Sequence, residues 1–514
     1  MALLPRPRRG QGREGSLTLR SPLRVRCERG WREDLEVFSS DLRRAIGWRV
    51  DLVGEDEECD IDARLARGID PEGFTLRVGE RVDITAGDAA GFSYALTALR
   101  QLGPAQLWSC TPGELDSWSI EALEVADAPA FSWRGVHLDV ARHFFDVPAV
   151  LRLIDLMSAH RLNHLHLHLN DDQGWRIEVP AWPDLTAVGA WRSGTAVGHQ
   201  HDDVRDDVPH GGFYDADDVA TIVAHARRRH VQVVPEIDLP GHAQAVLAAY
   251  PELGNTAEPL EVWTHWGISH HVLNVEVATL DFAEEVVRYV AGLFPESPVH
   301  IGGDECPSTQ WARSDAARET MRRHGFDDPG QLQGLFTQRL AHSLRADGRE
   351  VLAWDEVLDA EAVTDTTICA WRSAQKGVEA AERGHDVIMA PMQYLYFDWL
   401  SSDAPEEPVA VGAWPYVTTW EKVYGVALIP ETLSPALHHR IRGAQVQLWT
   451  EYIDSVARLD YMAFPRLCAF SEVVWGTRGP LGEFRTRLEE HLRRLDAMGV
   501  AYRALDPRTD DASQ

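Results

Sequence analysis

The sequence is poor in cysteine and lysine and has no long hydrophobic run. Its six cysteines are scattered through 514 residues without a CxxC pair, a spacing that predicts reduced, buried thiols rather than a disulfide framework or a zinc site. Lysine occurs only at positions 376 and 422, so arginine supplies nearly all of the basic charge. No apolar run approaches the roughly 18 residues of a membrane-spanning helix, and the sequence therefore predicts no such helix.

Positive charge is in short supply as well. The chain carries 50 basic and 80 acidic side chains, which gives a formal net charge of −30. A surface of that sign repels nucleic acids and anionic lipids, so we expect no nucleic-acid partner and no membrane partner. Residues 1–15 place arginines after a few apolar residues, the reverse of a secretory signal peptide. This order predicts a cytoplasmic protein, unless another secretion route is used.

Two domains and a short tail are predicted along the chain. Residues 1–125 predict a small α+β domain with an antiparallel sheet, which we expect to act by packing and to supply no catalytic group. Residues 126–505 predict a larger, catalytic domain, and residues 506–514 a polar tail. The elements predicted in the first domain are helices over 32–47 and 88–102 and strands over 49–52, 74–78 and 81–85.

The second domain alternates short apolar runs with helical stretches. Strand–helix alternation repeated eight times is typical of an α/β fold of the (β/α)8 TIM barrel type, with a doubly wound open sheet as the alternative. The predicted strands span residues 134–140, 164–169, 231–237, 298–303, 350–354, 367–371, 386–390 and 444–449. Helices are predicted over 149–161, 217–230 and 281–294, with closing helices over 455–476 and 483–499.

Polar and aromatic residues follow nearly every predicted strand of this domain. In a TIM barrel the loops that leave the C-terminal ends of the strands form the active site, so this recurrence indicates a single lined pocket. In chain order these residues are Asp139, Arg142, His143, Asn170, Asp171, Asp172, Glu236, Asp238, His242, Asp304, Glu305, Trp354, Asp355, Glu356, Trp371, Arg372, Tyr394, Tyr396, Asp398, Trp449 and Glu451.

Three tryptophans in this set, Trp354, Trp371 and Trp449, indicate a sugar ligand. Sugars stack their C–H faces on aromatic rings, while their hydroxyls hydrogen bond to acids, arginine and tyrosine. A single tryptophan at such a position could equally fill the core, because tryptophan is highly buried on average. Three at the same end of the barrel favour a carbohydrate site.

Asp304 and Glu305 lie in the string HIGGDEC, directly after a short strand and two glycines. An acidic pair at a barrel mouth is a candidate for general acid catalysis, because neighbouring negative charge raises the pKa of a carboxyl group. The alternative is a pair of solvated loop acids. Adjacent side chains on a strand point in different directions. The pair therefore does not fit a retaining glycosidase with a protein nucleophile, whose two carboxyl groups lie about 5 to 5.5 Å apart across the sugar.

The string His164-x-His166-x-His168 offers a metal-dependent TIM-barrel hydrolase as the rival hypothesis. Alternate residues of a strand share a face and could bind zinc, with His242 and Asp304 completing the site. Against this alternative, the three histidines span the length of the strand instead of gathering at one end of the barrel. We therefore expect no metal and no other cofactor.

Seven strings of the chain, taken in order, resemble glycoside hydrolase family 20, the β-N-acetylhexosaminidases. They are RGVHLDVARHF, HLHLHLNDDQGWRIEV, PEIDLPGHAQA, HIGGDEC, WDE, YFD and LWTE, and the resemblance extends over about residues 1–500. It implies an exo-acting enzyme that removes terminal β-linked N-acetylglucosamine or N-acetylgalactosamine from oligosaccharides. Family 20 departs from the two-carboxylate scheme because the substrate supplies its own nucleophile.

The resemblance also implies a role for each site residue. Glu305 is the general acid/base, and Asp304 orients the 2-acetamido group, whose carbonyl oxygen attacks the anomeric carbon to give an oxazolinium ion. The implied sugar-binding residues are Arg142, Trp354, Trp371, Tyr396, Asp398, Trp449 and Glu451, and the residues implied to position and tune Glu305 are Asp172 and His242.

The chain departs from the family between residues 424 and 430. Many members carry an aromatic residue in this stretch, whereas the present sequence reads YGVALIP. One sugar-stacking wall is therefore missing, or Trp414 or Trp420 supplies it. The preferred sugar, the natural substrate and the oligomeric state stay open. A catalytically silent sugar-binding barrel is a third hypothesis, against which the intact Asp304–Glu305 pair argues.

Overall fold

The computed structural model describes residues 2–199, 202, 204–256, 258–359, 364–410 and 416–507. Its strands are β1 (Arg9–Leu19), β2 (Leu23–Arg26), β3 (Val50–Leu52), β4 (Ile61–Leu65), β5 (Phe74–Val78), β6 (Val82–Ala86), β7 (Trp118–Asp127), β8 (Trp133–Asp139), β9 (His164–His168), β10 (Asn170–Asp171), β11 (Gly174–Trp175), β12 (Trp191–Arg192), β13 (His210–Gly211), β14 (Gln232–Glu236), β15 (Val299–His300), β16 (Val351–Trp354), β17 (Thr367–Ala370), β18 (Val387–Met389) and β19 (Ile441–Leu448).

Helices cover both domains. They are α1 (Arg32–Ile46), α2 (Ala89–Gln101), α3 (Val147–Ala159), α4 (Asp184–Ala187), α5 (Ala216–Arg228), α6 (Gln244–Ala249), α7 (Val277–Leu293), α8 (Thr309–Arg313), α9 (Asp315–His324), α10 (Gln333–Ala346), α11 (Ala374–Glu382), α12 (Met392–Leu395), α13 (Trp420–Gly425), α14 (Val456–Ala463), α15 (Arg466–Trp475) and α16 (Leu481–Ala497). Within the described part of the chain, none of them is both long enough and apolar enough to cross a bilayer.

A mixed sheet of order β1-β7-β5-β6-β4-β2-β3 forms the first domain together with α1 and α2. The pairings from β1 to β6 are antiparallel and those from β6 to β3 are parallel, so the sheet is antiparallel over only part of its width. The parallel part follows from α1, which crosses over between β2 and β3 and ends at Gly47 with a φ of 71°.

The second domain is a closed barrel of parallel strands in the order β8-β9-β14-β15-β16-β17-β18-β19. Each of the eight strands overlaps a predicted strand, so the structure confirms the predicted TIM barrel and excludes the open sheet. Helices cover the outside of the barrel, which accounts for the almost complete burial of its strands. The interior is polar in places, because β9 carries three buried histidines.

Two predicted elements are shorter or more divided than the sequence suggested. The strand predicted over 298–303 is observed only at Val299–His300, because Gly302 and Gly303 adopt φ angles of 61° and 93°, outside the strand region. The closing helix predicted over 455–476 is divided into α14 and α15 at Pro465, which cannot donate a helical hydrogen bond.

The cysteine prediction is correct for pairing and correct for burial at only two of the six positions. All six thiols are free, as expected from their scattered positions. Cys369 and Cys468 are buried, whereas Cys110 is exposed and the remaining three are partly exposed.

Ion pairs join the first domain to the bottom of the barrel. Arg134 on β8 is fully buried and donates to the Glu72 carboxylate and, at 2.9 Å, to the Tyr94 hydroxyl. Asp41 on α1 accepts from Arg229, which follows α5, at 2.9 Å. Since a buried charge needs a partner, these pairs fix the position of the first domain on the barrel.

Removal of the Asp127 carboxylate should destabilise this interface. Asp127 accepts from Arg161 at 2.7 Å and from the Trp475 indole at 2.8 Å, and neither member of the Asp127–Arg161 pair is exposed. Asp127→Ala leaves Arg161 buried without a counter-charge, so we expect it to lower the free energy of unfolding by about 3–5 kcal/mol in urea titrations. Asp347→Ala is the control, because it breaks an exposed ion pair with Arg288 and should cost less than about 1 kcal/mol. Equal losses in the two variants would contradict the expectation.

Candidate active site

The acidic pair lies on the loop that follows β15 at the C-terminal end of the barrel. Gly302 has to be glycine here, since a Cβ atom would lie 1.9 Å from Asp238 Oδ1. Asp304 is buried, and the Glu305 side chain is 37% exposed, so Glu305 faces the open end of the site. Glu305 and His242 have φ angles of 39° and 47°, a left-handed backbone that non-glycine residues rarely adopt. Such conformations cluster at functional sites.

His242 lies between the acidic pair and a second pair of carboxylates. Its Nε2 atom is 3.9 Å from both Asp304 Oδ1 and Glu305 Oε2. On the other side of the ring, Nδ1 is 3.2 Å from Asp171 Oδ1 and 3.6 Å from Asp172 Oδ2. Burial alone would lower the pKa of His242, but Asp171, Asp172 and Asp304 raise it well above its usual value, which favours the charged ring.

Asp171 is the nearer of the two carboxylates to His242, although the family resemblance implies the positioning role for Asp172. Asp172 accepts instead from the backbone N–H groups of Gln244 and Ser269, both at 3.0 Å. It therefore joins the segments that contain Gln244 and Ser269, while Asp171 makes the closer contact with the ring. The string NDD gives no sign of which aspartate faces the histidine, because both follow the same strand.

The pKa of Asp304 is raised well above the usual value of an aspartate. Burial is the main cause, and the neighbouring carboxylates of Asp238 and Glu305 add to it, while His242 acts in the opposite direction. Burial also raises the pKa of Asp238 to about 7. A positive charge that forms beside Asp304 would therefore favour its ionised form strongly.

Arg142 is the centre of a second polar group, on the loop after β8. Its guanidinium lies 3.2 Å from Asp139, 2.8 Å from Asp171 and 3.9 Å from Glu451. Burial and the nearby Glu451 raise the pKa of Asp398, which places it on the same side of the site. Fixed donors and acceptors of this kind are suited to neighbouring hydroxyls of one sugar ring.

Aromatic rings line the space between these two polar groups. Trp371 stacks on Tyr396 with 6.0 Å between ring centroids, and Tyr396 is 6.4 Å from Trp449. Trp354 lies 6.1 Å from Trp449 and is fully buried. The Trp371 indole N–H is fixed by Glu356, whose two carboxylate oxygens lie at 3.1 and 3.0 Å. The structure thus brings the sequence-predicted aromatic residues together.

Trp420 lies outside this aromatic group. Its ring packs against Phe484 at 5.6 Å and is 4% exposed, so it cannot supply a sugar-stacking wall. Trp414 lies outside the described residues. Val426 is buried and offers no surface for a ligand.

The three histidines of the proposed zinc site do not converge. The His164 ring stacks on Trp133, with 3.8 Å between the ring centroids. His166 and His168 face Glu236 in the barrel interior instead. Their arrangement does not support the metal-dependent alternative.

Comparison with known proteins places this geometry in one family. The model of "Glycosyl hydrolase family 20, catalytic domain" matches residues 131–478, and that of "Glycosyl hydrolase family 20, domain 2" matches residues 1–128. A beta-hexosaminidase of Porphyromonas gingivalis is 36% identical over 84% of this chain, which spans 54% of that relative. A beta-hexosaminidase of Vibrio furnissii is 32% identical over 92% of this chain, which spans 76% of that relative.

A solved structure agrees with these matches. The GH20 exo beta-N-acetylglucosaminidase of Vibrio harveyi, crystallised with N-acetylglucosamine, superposes with a TM-score of 0.87 at 32% identity, over 98% of this chain and 78% of that one. Both domains and the whole catalytic barrel are thus accounted for. The chain belongs to glycoside hydrolase family 20.

Proposed function

We propose that this protein is an exo-acting β-N-acetylhexosaminidase that removes terminal β-linked N-acetylglucosamine or N-acetylgalactosamine from oligosaccharides. The observation that carries the proposal is the adjacent Asp304–Glu305 pair beside the aromatic group of Trp354, Trp371, Tyr396 and Trp449. Membership of family 20 and the names of the relatives support the same activity.

The first step uses the substrate's own amide as nucleophile. The 2-acetamido carbonyl oxygen attacks the anomeric carbon, and the bond to the leaving oxygen breaks as Glu305 donates its proton to that oxygen. The product of this step is an oxazolinium ion on the sugar. Glu305 then takes a proton from water, which opens the ion and gives net retention. The exposed position of Glu305 allows both proton transfers.

Asp304 acts on the amide nitrogen during the same step. The nitrogen gains positive charge as the oxazolinium ion forms, and the buried Asp304 carboxylate accepts its N–H and stabilises that charge. Tyr396 donates a hydrogen bond to the acetamido oxygen. Trp354, Trp371 and Trp449 enclose the methyl group of the same acetamido group. Electrostatic stabilisation of this kind is strongest where water is excluded.

The sugar hydroxyls bind to the second polar group of the site. Arg142 donates to ring hydroxyls, while Glu451 and Asp398 accept from them. His242 and the two aspartates behind it, Asp171 and Asp172, keep the acidic pair in position. The domain of residues 1–125 acts through its packing on residues 126–505 and supplies no group to the site.

The direct test is an assay on aryl β-N-acetylglucosaminide and β-N-acetylgalactosaminide, with and without a strong chelator. We expect cleavage of at least one of them at a rate that the chelator does not change, because the proposed chemistry uses carboxylates and the substrate amide alone. A cyclic thiazoline mimic of the oxazolinium ion should inhibit far more strongly than the product sugar. A rate that the chelator abolishes and zinc restores would support the metal-dependent alternative.

A further inference from the structure

Glu236 lies in the barrel interior and is surrounded by histidines, two of which, His166 and His300, contact the Trp354 ring. Its carboxylate is 2.5 Å from His168 Nδ1, 3.2 Å from His166 Nε2 and 3.0 Å from His300 Nδ1. None of these side chains is more than 1% exposed. A carboxylate so far from water must be compensated by its neighbours, because an isolated buried charge is very costly.

His168 is the neighbour that carries the compensating charge. Burial alone would lower the pKa of His168, but Glu236 and Asp171 raise it to about 10. His166 differs, since burial lowers the pKa of His166 to about 4 despite the same carboxylate. Of these two histidines, His168 makes the shorter contact with Glu236 and is the one whose charged form its surroundings favour.

The far side of the His168 ring contacts the active site. Its Nε2 atom is 3.0 Å from Asp171 Oδ2, and the same oxygen forms an ion pair with Arg142 Nη2 at 2.8 Å. The other Asp171 oxygen faces His242 at 3.2 Å. One carboxylate thus contacts both the arginine for the sugar hydroxyls and the histidine behind the acidic pair, and His168 is its only described contact from the strands of the barrel interior.

We propose that Glu236 and His168 are positioning residues that fix the place and charge of Asp171, and through it both Arg142 and His242. The inference rests on the proposed function. Glu236 keeps His168 doubly protonated, so that the ring can donate to Glu236 and to Asp171 at the same time. Without that second proton the ring could satisfy only one of the two carboxylates, and Asp171 would lose a charged donor.

Variants of the full-length chain test the arrangement. His168→Gln should lower kcat/KM on the aryl N-acetylhexosaminide about 10- to 100-fold, the usual range for a lost supporting contact behind a site. Both kcat and KM should change, because Asp171 serves His242 and Arg142 alike. His166→Gln is the matched control, since among the described residues His166 contacts Glu236 but not Asp171. Its other contacts are Gln445 and the rings of His137, His300 and Trp354. We expect a much smaller loss for the control at a comparable melting temperature.

The pH profile of kcat/KM separates positioning from simple packing. The titratable and charged groups that face Asp171 are Arg142, His168, His242, Asp172 and Glu451. Those that face His168 are Asp171, Glu236, Asp238, His137 and His166. His168→Gln leaves Glu236 unbalanced, so the added negative charge should raise the carboxyl pKa values and move the limbs of the profile to higher pH. The double variant Glu236→Gln/His168→Gln removes both charges and should return the limbs toward wild type without restoring the rate.

Two outcomes would overturn the proposal. One is a loss of kcat/KM that is the same in His168→Gln and His166→Gln and is proportional to the fall in melting temperature, with no change in the pH profile. The other is a folded Glu236→Gln variant that keeps the wild-type rate. This isosteric variant also replaces His168→Gln as the test if His168→Gln does not fold. The wild-type rate on the same substrate tests the proposed function separately. An inactive wild type would contradict the proposed function, whereas an active wild type with fully active variants would contradict only the positioning role.

Discussion

Asp304→Asn should lower kcat about 10²- to 10³-fold even on a substrate with an excellent leaving group. This loss in kcat is the one usually measured when a group that stabilises charge in a transition state is removed. Asparagine keeps the volume of the side chain but cannot balance the positive charge that forms on the acetamido nitrogen. Because this charge forms in the step that builds the oxazolinium ion, a good leaving group cannot compensate for the loss. Initial rates on an aryl β-N-acetylglucosaminide with an activated phenol measure it.

Two comparisons make this test specific. Asp315→Asn removes a carboxylate that is 97% exposed on α9 and should keep the wild-type rate. The 2-hydroxyl analogue of the substrate lacks the nucleophile and should hardly react with the wild-type enzyme. Plain glucosides cleaved as fast as acetamido sugars, together with a trapped glycosyl–enzyme ester, would refute the substrate-assisted step and point to a separate carboxylate nucleophile.

Glu305→Gln should give a loss that depends on the leaving group. Glutamine cannot donate a proton to the departing oxygen, and general acid assistance is worth about 10²- to 10⁴-fold when that oxygen is a poor leaving group. An activated phenol needs little protonation, so its release should be affected much less. Rates over a series of aryl substrates, plotted against the pKa of the phenol, should therefore fall more steeply for the variant than for the wild type.

A parallel plot for the two enzymes would count against Glu305 as the acid. The control is Glu356→Gln, which removes a second carboxylate of the site that contacts Trp371 rather than the glycosidic oxygen. We expect that variant to lose rate uniformly over the series, because it changes the aromatic wall and not the proton transfer.

The barrel was predictable because its physical requirements are visible in the sequence. A parallel strand covered on both faces is usually apolar over most of its length, and such runs stand out against amphipathic helices such as 217–230. β9 departs from this rule with its three buried histidines. The location of the site was equally predictable, since a TIM barrel places the C-terminal ends of all eight strands on one face. The positions of Asp304 and Glu305 followed from that rule before any resemblance was considered.

The first domain was less predictable from the sequence, because its edge strand lacks a hydrophobic pattern. β1 reads RGQGREGSLTL and is exposed over most of its length, so only its pairing with β7 makes it a strand. The roles of Asp171 and Glu236 were also out of reach. Both depend on which side of His168 each carboxylate reaches, a distance that only the folded barrel determines.

The left-handed backbone at Glu305 has a consequence for the evolution of this chain. Glycine adopts that conformation without the penalty that a side chain brings, roughly 1 kcal/mol or more. The Glu305 side chain is partly exposed and would leave little unfilled space if it were lost. Selection for thermal resistance alone would therefore favour glycine at this position, and selection for the proposed hydrolysis would retain the glutamate. A descendant that lost its substrate could improve its fold by discarding the residue on which its ancestor's chemistry depended.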